Sequence, residues 1–434
     1  CIRDRCNTSN AGMISWNISS YGGDIFVRTD SANDVRFSLK FRDPGAWQHI
    51  VVSVDTSDAT GSNRVKLYVN SIQQTSISGT PTQNSTSFNA SSTVYNIGRD
   101  IVNGTYFAGY LTEINFVDGQ ALTPSSFGET DPLTGVWIPK RYTGTYGTNG
   151  FYLSFANNAS TTTLGYDDAG GIAGSGAGSN DWTLTNFSVT AGVNNDSLTD
   201  TPTSYGSYTG AGGEIRGNFC TLNTVDQSAA SVITDGNLNI TYTGASYYAG
   251  SRGTFGVSTG KWYWEVTVTA IGSGGVYSYI GVGQYFNYAA TNIAIYDTST
   301  RYYMGDGNKS IGTGAGQTTS AYGATYTTND VIGVALDMDN GTITFYKNGV
   351  SQGQAFTGLS GTHFPMSAVV LSVAHAYNFG QRPFAYTAPS GYKSLCTQNI
   401  PTPTILKGSQ YMNAVTWTGT GATRSITGVG FQPD

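Results

Sequence analysis

Two carboxylates in the second half of the chain have a spacing that could support hydrolysis of a sugar polymer. Asp337 and Asp339 are two residues apart, so on a strand their side chains would share one face. Two carboxyl groups that flank a glycosidic bond can act as nucleophile and acid/base. The next position on that face is Gly341, however, and both acids precede Asn340–Gly341, where turns favour Asp. We therefore interpret the pair as part of a turn and expect no enzyme activity.

The other residues with catalytic or metal-binding potential are scattered. Glu265 stands alone in a strand-like segment, where a position on a sheet face is the simpler interpretation. The three histidines, His49, His363 and His375, include no pair at metal-ligand spacing, and His49 lies in a predicted strand, which favours a structural role. The four cysteines are too few and too scattered for a disulfide framework or a metal site.

We expect no cofactor in this chain. The glycine-rich segment 167–180 lacks the Lys-Ser/Thr pair of a phosphate-binding loop, so we interpret it as a flexible loop. Nothing in the sequence matches an EF-hand. Calcium held at the rim of a β-domain, by Asp100 or by Asp337 and Asp339, is retained as an alternative.

Tyrosine is the residue type here that is best suited to binding. The chain has 29 tyrosines, and several fall in or beside predicted loops of its second half. Tyr offers a broad amphipathic contact area at small entropy cost, and its ring can stack on sugars. The alternative is that these rings cover sheet faces. The candidate carbohydrate- or partner-binding residues are Tyr247, Tyr248, Tyr285, Tyr302 and Tyr303.

The elements that would position these residues are predicted to be antiparallel strands. Residues 331–338 alternate apolar with small or polar side chains, which indicates a strand with one buried face, and residues 342–347 do the same. Asn340–Gly341 and Asn348–Gly349 favour two-residue hairpin turns. In the first half, residues 47–55 and 64–70 alternate clearly, whereas the patterns at 24–27 and 35–40 are weaker.

The composition of the chain excludes several classes of protein. Charged residues are only 11% of the chain, against about 25% in an average protein, while hydrophobic residues still reach 38%. The net charge of −6, without any basic cluster, argues against nucleic-acid binding. No apolar run is long enough to span a membrane, and no long stretch has helical periodicity. The predicted fold class is all-β, with tandem antiparallel β-sandwiches.

Two resemblances support this fold class. The strand at 260–269, the hairpin at 333–349 and the segment 364–370 occur in an order that resembles a SPRY domain, which implies a bent β-sandwich that binds partners through loops. Residues 47–70 and 95–129 together resemble the laminin G-like, or concanavalin A-like, jelly roll. Because little precedes Trp47, the N-terminal strands of that first sandwich could be incomplete.

The connector at 147–223 is similar to one in structural proteins of tailed bacteriophages, notably those that infect marine cyanobacteria, where it joins a laminin G-like to a SPRY domain. We therefore predict four segments: a concanavalin A-like sandwich (1–193), a linker (194–217), a SPRY-like sandwich (218–388), and a proline-containing strap with the beginning of another β segment (389–434).

The resemblance implies a virion protein on the particle surface or tail, and hence an extracellular one. We expect it to form part of a tail fibre or appendage that binds host-surface glycan through rim loops. Its expected partners are copies of itself, with a trimer favoured, and other virion proteins. The alternatives are a purely architectural decoration or connector protein and a concanavalin-like polysaccharide depolymerase.

Overall fold

The computed structural model describes residues 13–431 with gaps, and nearly all regular secondary structure in the described residues is antiparallel β-strand, as predicted. Within the described residues the α-helices are single turns, Thr161–Leu164 (α1) and Ile293–Tyr296 (α2), and no helix is long and apolar enough to cross a membrane. Residues outside the description are 1–12, 18–23, 29–33, 40, 42–45, 77, 86–94, 101–104, 108, 133, 172–173, 191, 199–217, 229–230, 243–248, 272–276, 285–292, 370–371, 398, 402–403, 424 and 432–434.

The first unit, residues 13–193, starts with two three-stranded antiparallel sheets, ordered β1-β2-β3 and β4-β5-β6. The weak patterns before Trp47 do form strands, and they are preceded by one that the sequence did not predict. These strands are Met13–Asn17 (β1), Asp24–Arg28 (β2), Asp34–Ser38 (β3), Ile50–Val54 (β4), Val65–Val69 (β5) and Ile72–Gln74 (β6).

A small hydrophobic core lies between these two sheets. Alternate residues of β2 and β3 are buried, and they pack against Val65 and Leu67 of β5. Leu67 is fully buried because strand alternation directs it towards the facing sheet. The strands before Trp47 therefore contribute to the core of the first sandwich.

The rest of the first unit consists of two-stranded ladders, in which β7 pairs with β8, β9 with β12 and β10 with β11. Phe151 of β12 stacks on Phe116 of β9, with ring centroids 5.5 Å apart, and also contacts Trp182. These strands are Arg99–Asp100 (β7), Thr105–Tyr106 (β8), Ile114–Phe116 (β9), Gly128–Thr130 (β10), Trp137–Pro139 (β11) and Phe151–Leu153 (β12).

The glycine-rich segment is fixed by two buried aspartates. Asp168 accepts backbone N–H groups from Gly174 (2.7 Å) and Gly176 (2.8 Å) and the hydroxyl of Ser154. Asp167 accepts a backbone N–H of β12 at 2.8 Å. Both carboxylates are essentially inaccessible. The interpretation of 167–180 as a flexible loop is therefore wrong for its described residues, because buried acceptors order backbone that has no sheet partner.

The second unit, residues 218–397, is a sandwich of two seven-stranded sheets. Sheet A has the order β13-β16-β25-β18-β19-β20-β21, and sheet B has the order β14-β15-β26-β17-β22-β23-β24. Sheet A consists of Leu222–Gln227 (β13), Ala249–Gly253 (β16), Ser278–Gly283 (β18), Arg301–Met304 (β19), Asn308–Gly312 (β20), Gln317–Ala321 (β21) and Phe364–Val369 (β25). Sheet B consists of Val232–Thr234 (β14), Asn239–Tyr242 (β15), Lys261–Ile271 (β17), Val331–Asp337 (β22), Thr342–Lys347 (β23), Val350–Phe356 (β24) and Val373–Asn378 (β26).

The main core lies between sheets A and B. Trp264, Val334 and Phe345 are fully buried there, on neighbouring strands of sheet B. The alternation predicted for β22 and β23 is confirmed, since Ile343 and Phe345 face inwards while Tyr346 stays partly exposed. Burial of this many apolar side chains is the main source of stability for the unit.

The two Asn-Gly pairs form different turns. Lys347 pairs with Val350, and both Asn348 (φ 48°) and Gly349 (φ 77°) are left-handed, as a two-residue hairpin requires. Asp337, in contrast, pairs with Thr342, so the first turn has four residues. The prediction of a two-residue turn is wrong there because the Asp337 carboxylate accepts the backbone N–H groups that follow it and stabilises a longer loop.

The chain ends of the second unit pair with each other. Phe219 forms an antiparallel bridge with Cys396, and Leu395 is fully buried in the main core. The unit therefore continues to about residue 397, beyond the predicted boundary at 388.

Among the described residues of 404–431 no strand forms, and Tyr411, Met412 and Trp417 are exposed. The β segment expected there is therefore not formed in these described residues, and a single hairpin could not bury a core of its own.

Candidate binding site

Tyr302 and Tyr303 are not loop residues. Both lie on β19, and both are fully buried. Tyr303 points into the main core, where its ring contacts Phe345 (5.5 Å between centroids), and Tyr302 packs on the outer face of sheet A against Tyr279 (5.6 Å). The prediction that they bind a ligand at the rim is wrong for these two, because strand alternation places one ring on each covered face.

The other three predicted tyrosines, Tyr247, Tyr248 and Tyr285, lie outside the described residues. The strand ends that flank them can still be compared. Ala249, which starts β16, pairs with Val369, whereas Gly283, which ends β18, pairs with Phe364. These partners stand at opposite ends of β25, roughly 17 Å apart at about 3.4 Å per residue. The described flanks therefore do not converge on a single rim.

The predicted acidic pair is engaged in turn geometry. One Asp337 oxygen accepts the N–H of Asp339 (3.1 Å), and the other lies 3.1 Å from Nζ of Lys261. Asp339 in turn accepts the N–H of Gly260 at 2.7 Å. Desolvation alone would raise the pKa of Asp337, but hydrogen bonds from Asn340 and the charge of Lys261 stabilise its ionised form and lower the pKa overall. Within the described chain, no group of three His, Cys, Asp or Glu side chains could hold a metal ion.

His375 lies at the centre of the second unit and bridges the two sheets. It belongs to β26 of sheet B, and its ring nitrogens contact the hydroxyls of Ser278 (2.7 Å) and Ser367 (2.9 Å) in sheet A. Burial lowers its pKa to about 3, so the ring is neutral at physiological pH. Because the side chain is fully buried, the contact is structural. His49 is also structural, as expected, and accepts Nε1–H of Trp137 at 3.0 Å.

Glu265 holds a covering segment against the outer face of sheet B. Its carboxylate accepts the backbone N–H groups of Ala385 (2.7 Å) and Tyr386 (2.9 Å) and the hydroxyl of Tyr263 (3.1 Å). Residues 383–393, which we call the cover segment, thus lie across β17, and Lys393 exchanges backbone hydrogen bonds with that strand. Burial raises the pKa of Glu265, although the backbone donors oppose that shift.

The cover segment and β23 present a set of partly exposed aromatic rings, which we call the aromatic surface. It is arranged around the buried ring of Tyr263, which meets Phe384 edge-on at 5.1 Å and Tyr346 at 6.5 Å. Gly333 leaves room for Tyr263, since a Cβ there would be 2.5 Å from its hydroxyl. The members of the aromatic surface are Tyr346, Phe384 and Tyr386, together with Tyr392, whose ring centroid lies 6.0 Å from Nζ of Lys261.

Both domain resemblances are supported by family models. Residues 261–382 match the model of the SPRY domain, and residues 3–126 match that of the concanavalin A-like lectin/glucanases superfamily. The chain carries a concanavalin A-like domain followed by a SPRY domain. The matched part of the SPRY domain runs from β17 through β26, so the cover segment lies just beyond it.

Several proteins are similar to part of this chain. A Ran-binding proteins 9/10 homolog of Drosophila melanogaster is 33% identical over 170 residues, or 37% of this chain and 17% of that protein. Ran-binding protein 9 of Homo sapiens is 36% identical over 131 residues, or 29% of this chain and 17% of that protein. The chain thus spans less than a fifth of these relatives. The crystal structure of the SPRY domain of human HERC1 is 18% identical, with a TM-score of 0.31, and covers 36% of this chain and 96% of that one.

The SPRY domain is docked onto the region before it. Nε of the buried Arg382 donates to the carbonyl of Asn195 at 3.0 Å, and Leu198 packs against the main core. Tyr110 of the first unit lies so close to Gly236 that any side chain there would collide with its ring. The described start of the predicted linker, residues 194–198, is therefore packed against the SPRY domain.

Sequence reasoning missed the aromatic surface for an identifiable reason. Tyr386 and Tyr392 lie on either side of the predicted domain boundary at 388, where the sequence predicts no rim loop. Glu265 was a usable signal, because a lone carboxylate between Trp264 and Val266 in an apolar strand needs donors from another segment. The chain position of those donors, some 120 residues later, was not available from the pattern.

Proposed function

We propose that this chain is a non-catalytic virion protein of a tailed bacteriophage, part of a tail fibre or surface appendage that binds host-surface glycan. The observation that carries the binding role is the aromatic surface, in which rigidly packed rings are left partly exposed on the SPRY domain. The assignment to a phage particle is supported by the resemblance of the connector at 147–223 to phage structural proteins.

The non-catalytic part of the proposal is supported by the state of the acidic side chains. Asp337 accepts backbone N–H groups of its own turn, Asp339 accepts the N–H of Gly260, and Glu265 is occupied by the cover segment. A glycosidase needs two carboxyls that face a substrate across the scissile bond. Carboxylates committed to backbone donors are poorly placed for that role.

A direct test uses labelled, purified full-length chain on marine cyanobacterial cells. We expect saturable binding that disappears after mild periodate oxidation of surface sugars and survives protease treatment of the cells. Binding that is lost with protease and unchanged by periodate would overturn the glycan role. Peptides of this chain in digests of purified particles would test the virion assignment separately.

An architectural role within the particle is favoured by the segment 404–431. Its exposed apolar side chains include Met412 (78% exposed), Tyr411 (66%) and Trp417 (60%), which a neighbouring subunit could cover. We propose that the chain forms a homo-oligomer, with a trimer favoured, since side-by-side copies would also raise avidity for a glycan. Light scattering that gives a monomer mass at micromolar concentration would contradict this.

A further inference from the structure

We propose that the aromatic surface of the SPRY domain binds the uncharged face of a pyranose sugar. This inference rests on the proposed glycan-binding function and assigns it a place away from the rim loops, on the outer face of sheet B. The site consists of Tyr346 on β23 together with Phe384, Tyr386 and Tyr392 on the cover segment.

The rings are held in place before any ligand arrives. Tyr346 and Phe384 both contact the buried Tyr263 edge-on, at interplanar angles of 81° and 90°. Tyr386 lies over the Asn348–Gly349 turn, where a Cβ on Gly349 would be 2.6 Å from its ring. Its backbone is fixed by the N–H donated to Glu265. Rigid rings lose little entropy on binding, which favours stacking on a weakly interacting ligand.

Charge around the site favours a neutral ligand. Lys261 is paired with Asp337 at 3.1 Å, and the buried Glu265 and the exposed Lys393 are opposite in sign. The formal charges of these four groups therefore cancel. An anionic polymer or a charged peptide would find no net attraction here, because its charged groups would be desolvated without compensation.

Hydroxyls accompany the rings, as recognition of a sugar requires. Thr342 and Thr344, both partly exposed, lie on the same face of β23 as Tyr346, since the three alternate along the strand. Three of the four rings also carry phenol groups. A pyranose presents C–H groups on its face and hydroxyls on its edge, so it matches a surface where aromatic faces and hydroxyls are adjacent.

The test measures binding of the full chain to an array of neutral and uronic-acid oligosaccharides. We compare wild type with Tyr346→Ala, Tyr386→Ala and the double variant. Phe187→Ala is the control, because Phe187 is an exposed aromatic residue of the first unit and lies outside the aromatic surface. Each site substitution should weaken binding to neutral sugars roughly tenfold. The control should bind as wild type does. Tyr386→Phe keeps the ring but loses one phenol group, so it should weaken binding less than Tyr386→Ala does.

The possible results distinguish failure of this site from failure of the proposed glycan-binding function. Wild-type binding to neutral sugars that persists in the double variant would overturn the site while leaving glycan binding intact. Preference for uronic-acid sugars would also overturn it. Absence of binding to every sugar on the array would overturn both this inference and the glycan role.

Discussion

Asp168 in the first unit and Glu265 in the SPRY domain both order a segment of backbone, but they differ in how far along the chain that segment lies. Each is a buried carboxylate that accepts two backbone N–H groups from a segment that lies outside the named strands. Asp168 binds donors only six and eight residues away, in a glycine-rich loop. Glu265 binds donors 120 and 121 residues away, in the cover segment. One carboxylate closes a local loop, whereas the other ties a distant segment to a sheet.

The two ordered segments also differ in the side chains that they expose. The loop fixed by Asp168 consists mostly of glycine, alanine and serine, so ordering it exposes few side chains that could bind anything. The cover segment fixed by Glu265 carries Phe384, Tyr386 and Tyr392, so ordering it positions rings. The same hydrogen-bond chemistry is thus structural in one unit and, in our proposal, supports binding in the other.

Removing the Asp168 carboxylate should have the largest effect. Asp168→Ala leaves the N–H groups of Gly174 and Gly176 and the hydroxyl of Ser154 without their acceptor in a buried site. We expect a loss of about 3–5 kcal/mol in unfolding free energy of the first unit. Urea unfolding followed by tryptophan fluorescence would measure it, with the exposed Asp55→Ala as control. A loss no greater than the control's would show that the loop does not depend on Asp168.

Glu265→Ala should cost somewhat less, about 2–4 kcal/mol, because the exposed ends of the cover segment can recover hydrogen bonds to water. Glu265→Gln keeps one acceptor oxygen and should cost less than the alanine variant. Limited proteolysis within 383–393 should accelerate in Glu265→Ala and stay near wild type in Glu265→Gln. Equal proteolysis of all three proteins would mean that Glu265 does not hold the cover segment.

The sequence predicted the strands of the SPRY domain well because their signals are local. Alternation in β22 and β23 follows from one buried face, and the Asn348–Gly349 turn follows from two left-handed residues. The Met338–Gly341 turn was mispredicted although it contains the same dipeptide. The length of this turn is set by the Asp337 side chain. Its hydrogen bonds stabilise a four-residue loop instead of the two-residue turn that Asn340–Gly341 alone would favour.

The site was harder to predict because its parts are distant in sequence. Burial of Tyr302 and Tyr303 depends on what covers each face of sheet A, which a single strand does not reveal. The aromatic surface arises only when residues 383–393 return to β17, more than 110 residues earlier in the chain. Periodicity can identify a face, but it cannot identify the segment that covers that face.

A third prediction concerns the pH dependence of folding stability, to which His375 and Glu265 contribute with opposite sign. Burial lowers the pKa of His375 from 6.5 to about 3, so the unfolded state binds more protons in that window and stability rises with pH. Burial raises the pKa of Glu265 above 4.5, so its contribution is lost as pH rises through the folded value. His375→Gln should remove a slope of up to about 1.4 kcal/mol per pH unit. Urea unfolding at several values between pH 4 and 6.5 would show an unchanged slope if His375 were not responsible.

The smallest predicted effect is a difference in unfolding free energy between alanine variants of two glycines in the β23–β24 hairpin. Gly349 (φ 77°) and Gly353 (φ 82°) are both left-handed, so alanine at either position should cost about 1 kcal/mol in backbone strain. Nothing lies within 4 Å of a Cβ on Gly353, whereas a Cβ on Gly349 would meet the ring of Tyr386 at 2.6 Å. Gly349→Ala should therefore cost about 1 kcal/mol more than Gly353→Ala and should change the near-ultraviolet circular dichroism of the tyrosines. Equal costs with identical spectra would mean that the ring of Tyr386 does not pack on the Asn348–Gly349 turn.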